Sequence, residues 1–197
     1  MEILCRRCVS SDPSEEAALV DFLTEDTWPF HGSEVVDADQ VRRGIAEGRY
    51  DSEENRTFWI VADDAVRDAV VGLVRLMDLG DPTPLFDLRI ATRFRGSGYG
   101  HRALTWITRY VFEEFPGVRR IEGNTRQDNV AMRRTFRRCG YVKEAHHRDA
   151  WPGADGSVHD AVGYAILRRD WESGTVTVPQ WYDEHIGAGD TPTAEHP

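Results

Sequence analysis

Apolar positions along the chain recur with two periods, and the switches between them lay out its elements. Alternation or short apolar runs predict strands over residues 2–9, 57–62, 70–76, 85–90, 120–123, 141–147 and 160–167. The link from Asp63 to Ala69 is short enough to make 57–62 and 70–76 an antiparallel hairpin. A 3.6-residue period predicts helices between these strands. Asp12 is a good N-cap, Pro13 suits the first helical position and Glu15 sits at N3, so a helix runs to about Phe22. Asp37 or Asp39 opens a second helix that reaches Glu47. From Gly98, residues Ala103, Leu104, Ile107, Tyr110 and Val111 fall on one face, and Phe115-Pro116-Gly117 ends that helix. A fourth helix covers 129–139 and stops at Gly140. The order β, α, α, β, β, β, α, β, α, β, β predicts one mixed α/β domain without internal repeat. Residues from about Ser173 onward are rich in Gly, Pro and Thr, and 187–197 are expected to be disordered. Trp181 and Tyr182 mark 176–182 as a segment that could pack against the body or a second subunit.

Composition narrows the class. The chain has 197 residues, 40% of them hydrophobic, with six tryptophans, so it can bury a core. No apolar run reaches the ~18 residues of a membrane span, and the N-terminus lacks the apolar stretch of a signal peptide. A cytoplasmic protein is expected. A net charge of −10 argues against nucleic acid as a partner and is compatible with a cationic substrate. Cys5 and Cys8 have the C-x-x-C spacing of a metal or redox site, but no second pair follows. In a strand, side chains three apart point to opposite faces, so no metal is expected there.

The chemistry concentrates at Arg95-Gly96-Ser97-Gly98-Tyr99-Gly100, between a strand and a helix start. Closely spaced glycines let the backbone bend and a ligand approach its amides. The first helical turn adds unpaired N–H groups and the positive end of the dipole. Together they predict a phosphate site. A P-loop would need Gly-Lys-Ser/Thr, whereas His101 and Arg102 follow Gly100 here. Residues 98–103 match the dinucleotide pattern G-x-G-x-x-A, but no second parallel unit follows.

Arg95-x-x-Gly98-x-Gly100 resembles the R/Q-x-x-G-x-G/A signature of the GCN5-related N-acetyltransferase (GNAT) superfamily. Residues 129–141, from Asn129 to Gly140-Tyr141, resemble the second signature of that superfamily, closest to its RimJ/RimL-type branch. Glu144, His159-Asp160 and Tyr164 add to the likeness, which covers roughly residues 2–172. The resemblance implies a mostly antiparallel central sheet flanked by helices, with 173–197 as a C-terminal extension. It implies acetyl-CoA as cosubstrate, no metal, and direct attack of an amine on the thioester. The cofactor would be held by Ile90, Ala91, Thr92, Arg95, Gly96, Ser97, Gly98, Tyr99 and Gly100, with Asn129 on the pantetheine arm. Arg133, Arg134, Arg137 and Arg138 form a basic ridge, and Arg133 is the one assigned to the cofactor. A backbone amide at the strand end would stabilise the oxyanion.

The proton carriers depart from the family's pattern. Phe136 stands where many members have a Tyr, and Met132 where the RimJ/RimL branch often has a Ser. Glu122 and Asp87 are the candidate bases, ahead of Asp149, His146 and His147. Trp28, Phe30, His31 and Trp151, with Glu25 and Asp26, are expected to form the acceptor surface. The acceptor would be a small amine, with a tilt towards a cationic one, or a protein N-terminus. A non-catalytic acyl-CoA-binding module is the alternative, and a homodimer is left open.

Overall fold

Both faces of the central strands are covered, and the burial of single strands records it. The computed structural model describes residues 2–63, 69–153 and 155–181. The expected disordered tail, Tyr182 and most of the hairpin link lie outside these residues. The elements are β1 (Glu2–Cys8), α1 (Pro13–Thr24), α2 (Ala38–Ala46), β2 (Arg56–Asp63), β3 (Ala69–Met77), β4 (Leu85–Ile90), α3 (Tyr99–Glu114), β5 (Arg120–Arg126), α4 (Val130–Arg138), β6 (Val142–Pro152), β7 (Val158–Leu167) and α5 (Arg168–Ser173). A 3-10 turn, Thr92–Phe94, joins β4 to the glycine loop.

The seven strands lie in the order β1-β2-β3-β4-β5-β7-β6. Every pairing is antiparallel except β4 with β5. In β2, Phe58 and Ile60 face the larger core with α3 and α4, while Trp59 and Val61 face a second core with α1 and α2. Burial on both sides explains its unbroken apolar run. Cys5 and Cys8 fall on opposite sides of the sheet, one towards each core. Burial pushes both thiols up to about 12.

The helix caps follow the sequence. Asp12 accepts from Ser14 N at 2.8 Å and Asp37 from Gln40 N at 3.0 Å. Glu15 does not close a capping box. It accepts from the Trp59 indole at 2.5 Å and from Arg6, tying α1 to the sheet. β5 continues three residues beyond its expected end at 123, and β6 runs to Pro152 across an irregularity between His147 and Trp151. Asp149 sits there with φ +54°, and its amide donates to Asp160. The short helix α5 was not expected from the sequence. Its Arg168 donates to the carbonyls of Val118, Phe112 and Phe115, sealing the end of α3. No helix among the described residues is long and apolar enough to cross a membrane.

Candidate active site

The parallel pair β4–β5 is joined at one position, Leu85 opposite Glu122, and the strands then part. Two cavities open at this split, of about 450 Å³ and 380 Å³. They share Phe30, His31, Leu88, Asn129 and Met132 as wall, so they meet at the mouth of the split. Strand alternation divides the side chains of β4. Asp87 and Arg89 project to the α1–α2 side with Arg75, which pairs with Asp87 in register. Phe86, Leu88 and Ile90 pack with the core on the other side.

The smaller cavity is built on the glycine loop. Gly96 (φ +78°) and Gly98 (φ +85°) occupy the left-handed region, which side-chain-bearing residues adopt only at a cost. Gly98 caps α3, whose first backbone bond runs from Arg102 N to Gly98 O at 3.3 Å. The amides before Arg102 have no intrahelical partner, and no acidic side chain lies in the first turn. Ile90, Arg95, Gly96, Gly98, Tyr99 and Gly100 line this cavity, and α4 contributes Arg134 and Arg138 opposite them. A long group with anionic and apolar ends fits these walls: free amides and two guanidiniums at one end, Leu88, Ile90 and Met132 towards the other.

Several expected contacts lie elsewhere. Ala91 N donates to Val71 O at 3.0 Å, and Thr92 N to Asp26 at 2.6 Å. Neither residue lines the cavity, and nor does Ser97. Arg133 is turned away, donating to Gln127 O at 2.8 Å and to the Tyr164 hydroxyl at 3.4 Å. Arg95 lies on the wall but also staples the loop, with Nε on Ile90 O (2.9 Å) and Nη2 on Thr27 O (2.8 Å). Asn129 lines both cavities while its side chain caps α4 at Met132 N (3.1 Å) and donates to Thr125 (3.0 Å).

A family profile described as Acetyltransferase (GNAT) domain matches residues 10–142. The chain belongs to the GNAT acetyltransferase family. Among solved structures, a probable acetyltransferase shares 22% identity at TM-score 0.65, over 86% of this chain and 95% of the other. The spermidine N-acetyltransferase of Vibrio cholerae, in complex with CoA and spermine, shares 17% identity at TM-score 0.70, over 87% and 98%. At these identities the likeness is one of fold. A comparison with curated proteins finds no match. GNAT enzymes use acetyl-CoA, whose phosphates and pantetheine arm suit the two ends of the smaller cavity.

The larger cavity of this GNAT domain carries a charged cluster. Asp87 receives Arg89 Nε at 3.1 Å on Oδ2 and lies 3.2 Å from His31 Nε2 through Oδ1. Burial alone would raise the Asp87 carboxyl, but the His31 hydrogen bond and the charges of Arg89 and Arg75 outweigh it and hold it well below the usual carboxylate range. His31 Nδ1, Arg75 Nε and Arg89 Nη1 are buried without a hydrogen-bond partner. The Arg75 guanidinium stacks on Tyr50 at 5.4 Å and that of Arg89 on Trp28 at 5.1 Å. Burial pushes the Tyr50 hydroxyl up, so it remains a donor.

Glu122 is not on the wall of either cavity. Its carboxylate takes Arg120 at 2.8 Å and Asn124 at 3.1 Å, and Arg120 reaches on to Glu144 at 2.6 Å. Trp28 is fully buried, with its indole N–H on Leu23 O at 2.9 Å, yet one edge borders the smaller cavity. Phe30, under the Arg126 guanidinium at 4.8 Å, and His31 border both cavities, and Trp151 borders the larger. Glu25 and Asp26 border neither. His146 meets Asp160 at 2.7 Å on the outer hairpin. Arg75, Arg89 and Tyr50 were missed as site residues; the signal was an arginine inside each of two apolar strands. Among the described residues no cluster of His, Cys, Asp and Glu could hold a metal ion.

Proposed function

We propose that the chain is an acetyl-CoA-dependent N-acetyltransferase acting on a primary amine. The carrying observation is the meeting of the two cavities beside His31, Leu88 and Asn129, where β4 and β5 part. Bound acetyl-CoA supplies an activated thioester. The loop amides from Gly96 to Gly100, with Arg134 and Arg138, hold its phosphates, and the β4 edge freed by the split takes the arm. Ile90 and Asn129 remain cofactor contacts in this reading. Their walls bring the two reactants together, which is the larger part of catalysis by direct attack.

His31 takes the amine proton. With its Nε2–H directed at Asp87, the lone pair of Nδ1 is free, and Nδ1 has no protein partner. Asp87 is then a positioning residue, since a carboxylate held so low is a weak base. The resemblance to the RimJ/RimL branch supports a protein N-terminus as acceptor, and the fold shared with a spermidine N-acetyltransferase supports a small amine. Residues 1–172 would form the catalytic domain, in the cytoplasm.

Release of free thiol from acetyl-CoA across an amine panel tests this reading. Acceptor-dependent release is expected. Binding of acetyl-CoA with no release on any amine would instead establish an acyl-CoA-binding module. That second reading is favoured by the fully buried Phe136, which stacks on Tyr164 at 4.7 Å where many family members carry a hydroxyl.

A further inference from the structure

Arg49, Arg75 and Arg89 line the larger cavity, and among its lining residues Asp87 is the one acid. Both Asp87 oxygens are engaged, by Arg89 and His31. Arg49 is paired with Glu47 at 2.6 Å outside the cavity. That leaves Arg75, half-buried and flanked by the ring of Tyr50 with its Nε buried and unpartnered, and Arg89, with its Nη1 buried and unpartnered. A buried guanidinium N–H without an acceptor is costly, and a planar carboxylate matches the guanidinium's fork of donors. The carboxylates that would have drawn a polycation are not there. Asp26 is bound to Thr92, and Glu25 borders neither cavity.

We infer that the acceptor is an amine that also carries a carboxylate, an amino-acid-like molecule whose carboxylate is held by Arg75 beside Tyr50 while its amine lies at His31. The inference rests on the acetyltransferase reading. It reverses the cationic acceptor that the net charge of −10 suggested. That charge belongs to the whole surface, whereas an acceptor meets the local field of a cavity of about 450 Å³. A polyamine would place its second ammonium against Arg75 and Arg89 with no free carboxylate to receive it. An amino-acid-like acceptor neutralises the guanidinium at one end. At the other it presents one amine: the ammonium first gives one proton to solvent, and the neutral nitrogen then forms a bond to the acetyl carbon as its surplus proton passes to His31 Nδ1. The thioester C–S bond then breaks, and the sulfur leaves as thiolate.

Two arms separate this inference from the reading beneath it. In the first, titration calorimetry on the full chain saturated with coenzyme A compares N-acetylated amino acids, which are product-like, with their carboxamides. The carboxylates should bind about tenfold or more tighter. Arg75→Gln should abolish that preference, and Arg75→Lys should retain part of it, which separates lost charge from misfolding. In the second, thiol release is compared for amino acids, their amides and spermidine, with a KM effect of Arg75→Gln confined to carboxylate acceptors. Equal binding of carboxamides, survival of the preference in Arg75→Gln, or spermidine as a better acceptor than every amino acid would overturn the inference. If no amine releases thiol, the acetyltransferase reading fails, while calorimetry still decides whether the cavity selects a carboxylate.

Discussion

His31 Nε2 lies 3.2 Å from Asp87 Oδ1, and the other oxygen of that carboxylate takes Arg89 Nε at 3.1 Å. A residue of the aromatic loop that borders both cavities is thus joined to a β4 residue that lines the larger one. The contact fixes the imidazole ring and assigns Nε2 as the donor, which leaves Nδ1 to accept. If His31 is the base, His31→Gln should lower kcat by about a hundredfold or more, with the KM for acetyl-CoA little changed. Single-turnover kinetics would read the loss. A His31→Gln enzyme with wild-type kcat at neutral pH would remove His31 from the chemistry.

Asp87 gives a second, independent reading through stability. Its carboxyl is held below the usual range in the fold, so in acid the unfolded chain binds its proton before the native chain does. Stability from this group is therefore present above the ordinary carboxylate pKa of about 3.9 and is lost as pH falls below it. Asp87→Asn should flatten the acid limb of the stability curve relative to wild type, as measured by urea midpoints between pH 3 and 6. It should also lower stability at neutral pH, because Arg75 and Arg89 would lose the charge of Asp87 between β3 and β4. A parallel pair of curves for the two proteins would contradict the assigned direction.

Local chemistry made the frame legible from the sequence. Asp12 and Asp37 cap helices, Gly96 and Gly98 take positive φ, and Gly140 ends α4, each for a reason contained within a few residues. The same holds for the split of Cys5 and Cys8 across the sheet, which follows from strand alternation alone. What could not be read is set by pairing at long range. Glu122 and Asp87 are both acidic residues in strands with an arginine two residues away, Arg120 and Arg89, and long-range placement distinguishes them: Asp87 lies opposite Arg75 and against His31, while Glu122 lies opposite Ala165. Arg133 and Arg134 are adjacent on one helix, and the helix rotation decides which meets the cavity. Arg75 reads as an interruption in an apolar strand until Asp87 is placed next to it.

The two N-terminal cysteines should be chemically quiet. With thiols pushed up to about 12, each carries roughly a thousandfold less thiolate at neutral pH than a free cysteine. Alkylation by iodoacetamide, followed by mass spectrometry of the N-terminal peptide, should be slow in the native protein and rapid in denaturant. Fast native labelling of Cys8, which is fully buried, would mean that β1 detaches from the sheet.

The basic ridge of α4 allows the cofactor site to be tested one arginine at a time. Arg134 and Arg138 border the smaller cavity, while Arg133 is tied to Gln127 and Tyr164. A guanidinium that meets a phosphate contributes a charge-assisted bond worth about 1.5–3 kcal/mol, or roughly ten- to hundredfold in affinity. Arg138→Gln and Arg134→Gln should therefore weaken coenzyme A binding by about tenfold or more. If either meets the 3′-phosphate, its substitution should leave dephospho-coenzyme A almost unaffected, and the difference between the two ligands isolates that contact. Arg133→Gln should act otherwise. It frees the Gln127 carbonyl and one side of Tyr164, so it should lower the melting temperature while weakening both ligands equally or not at all. Calorimetry with the two ligands on the three variants distinguishes these patterns. A selective loss of coenzyme A over its dephospho form in Arg133→Gln alone would return the phosphate contact to the residue that the sequence first suggested.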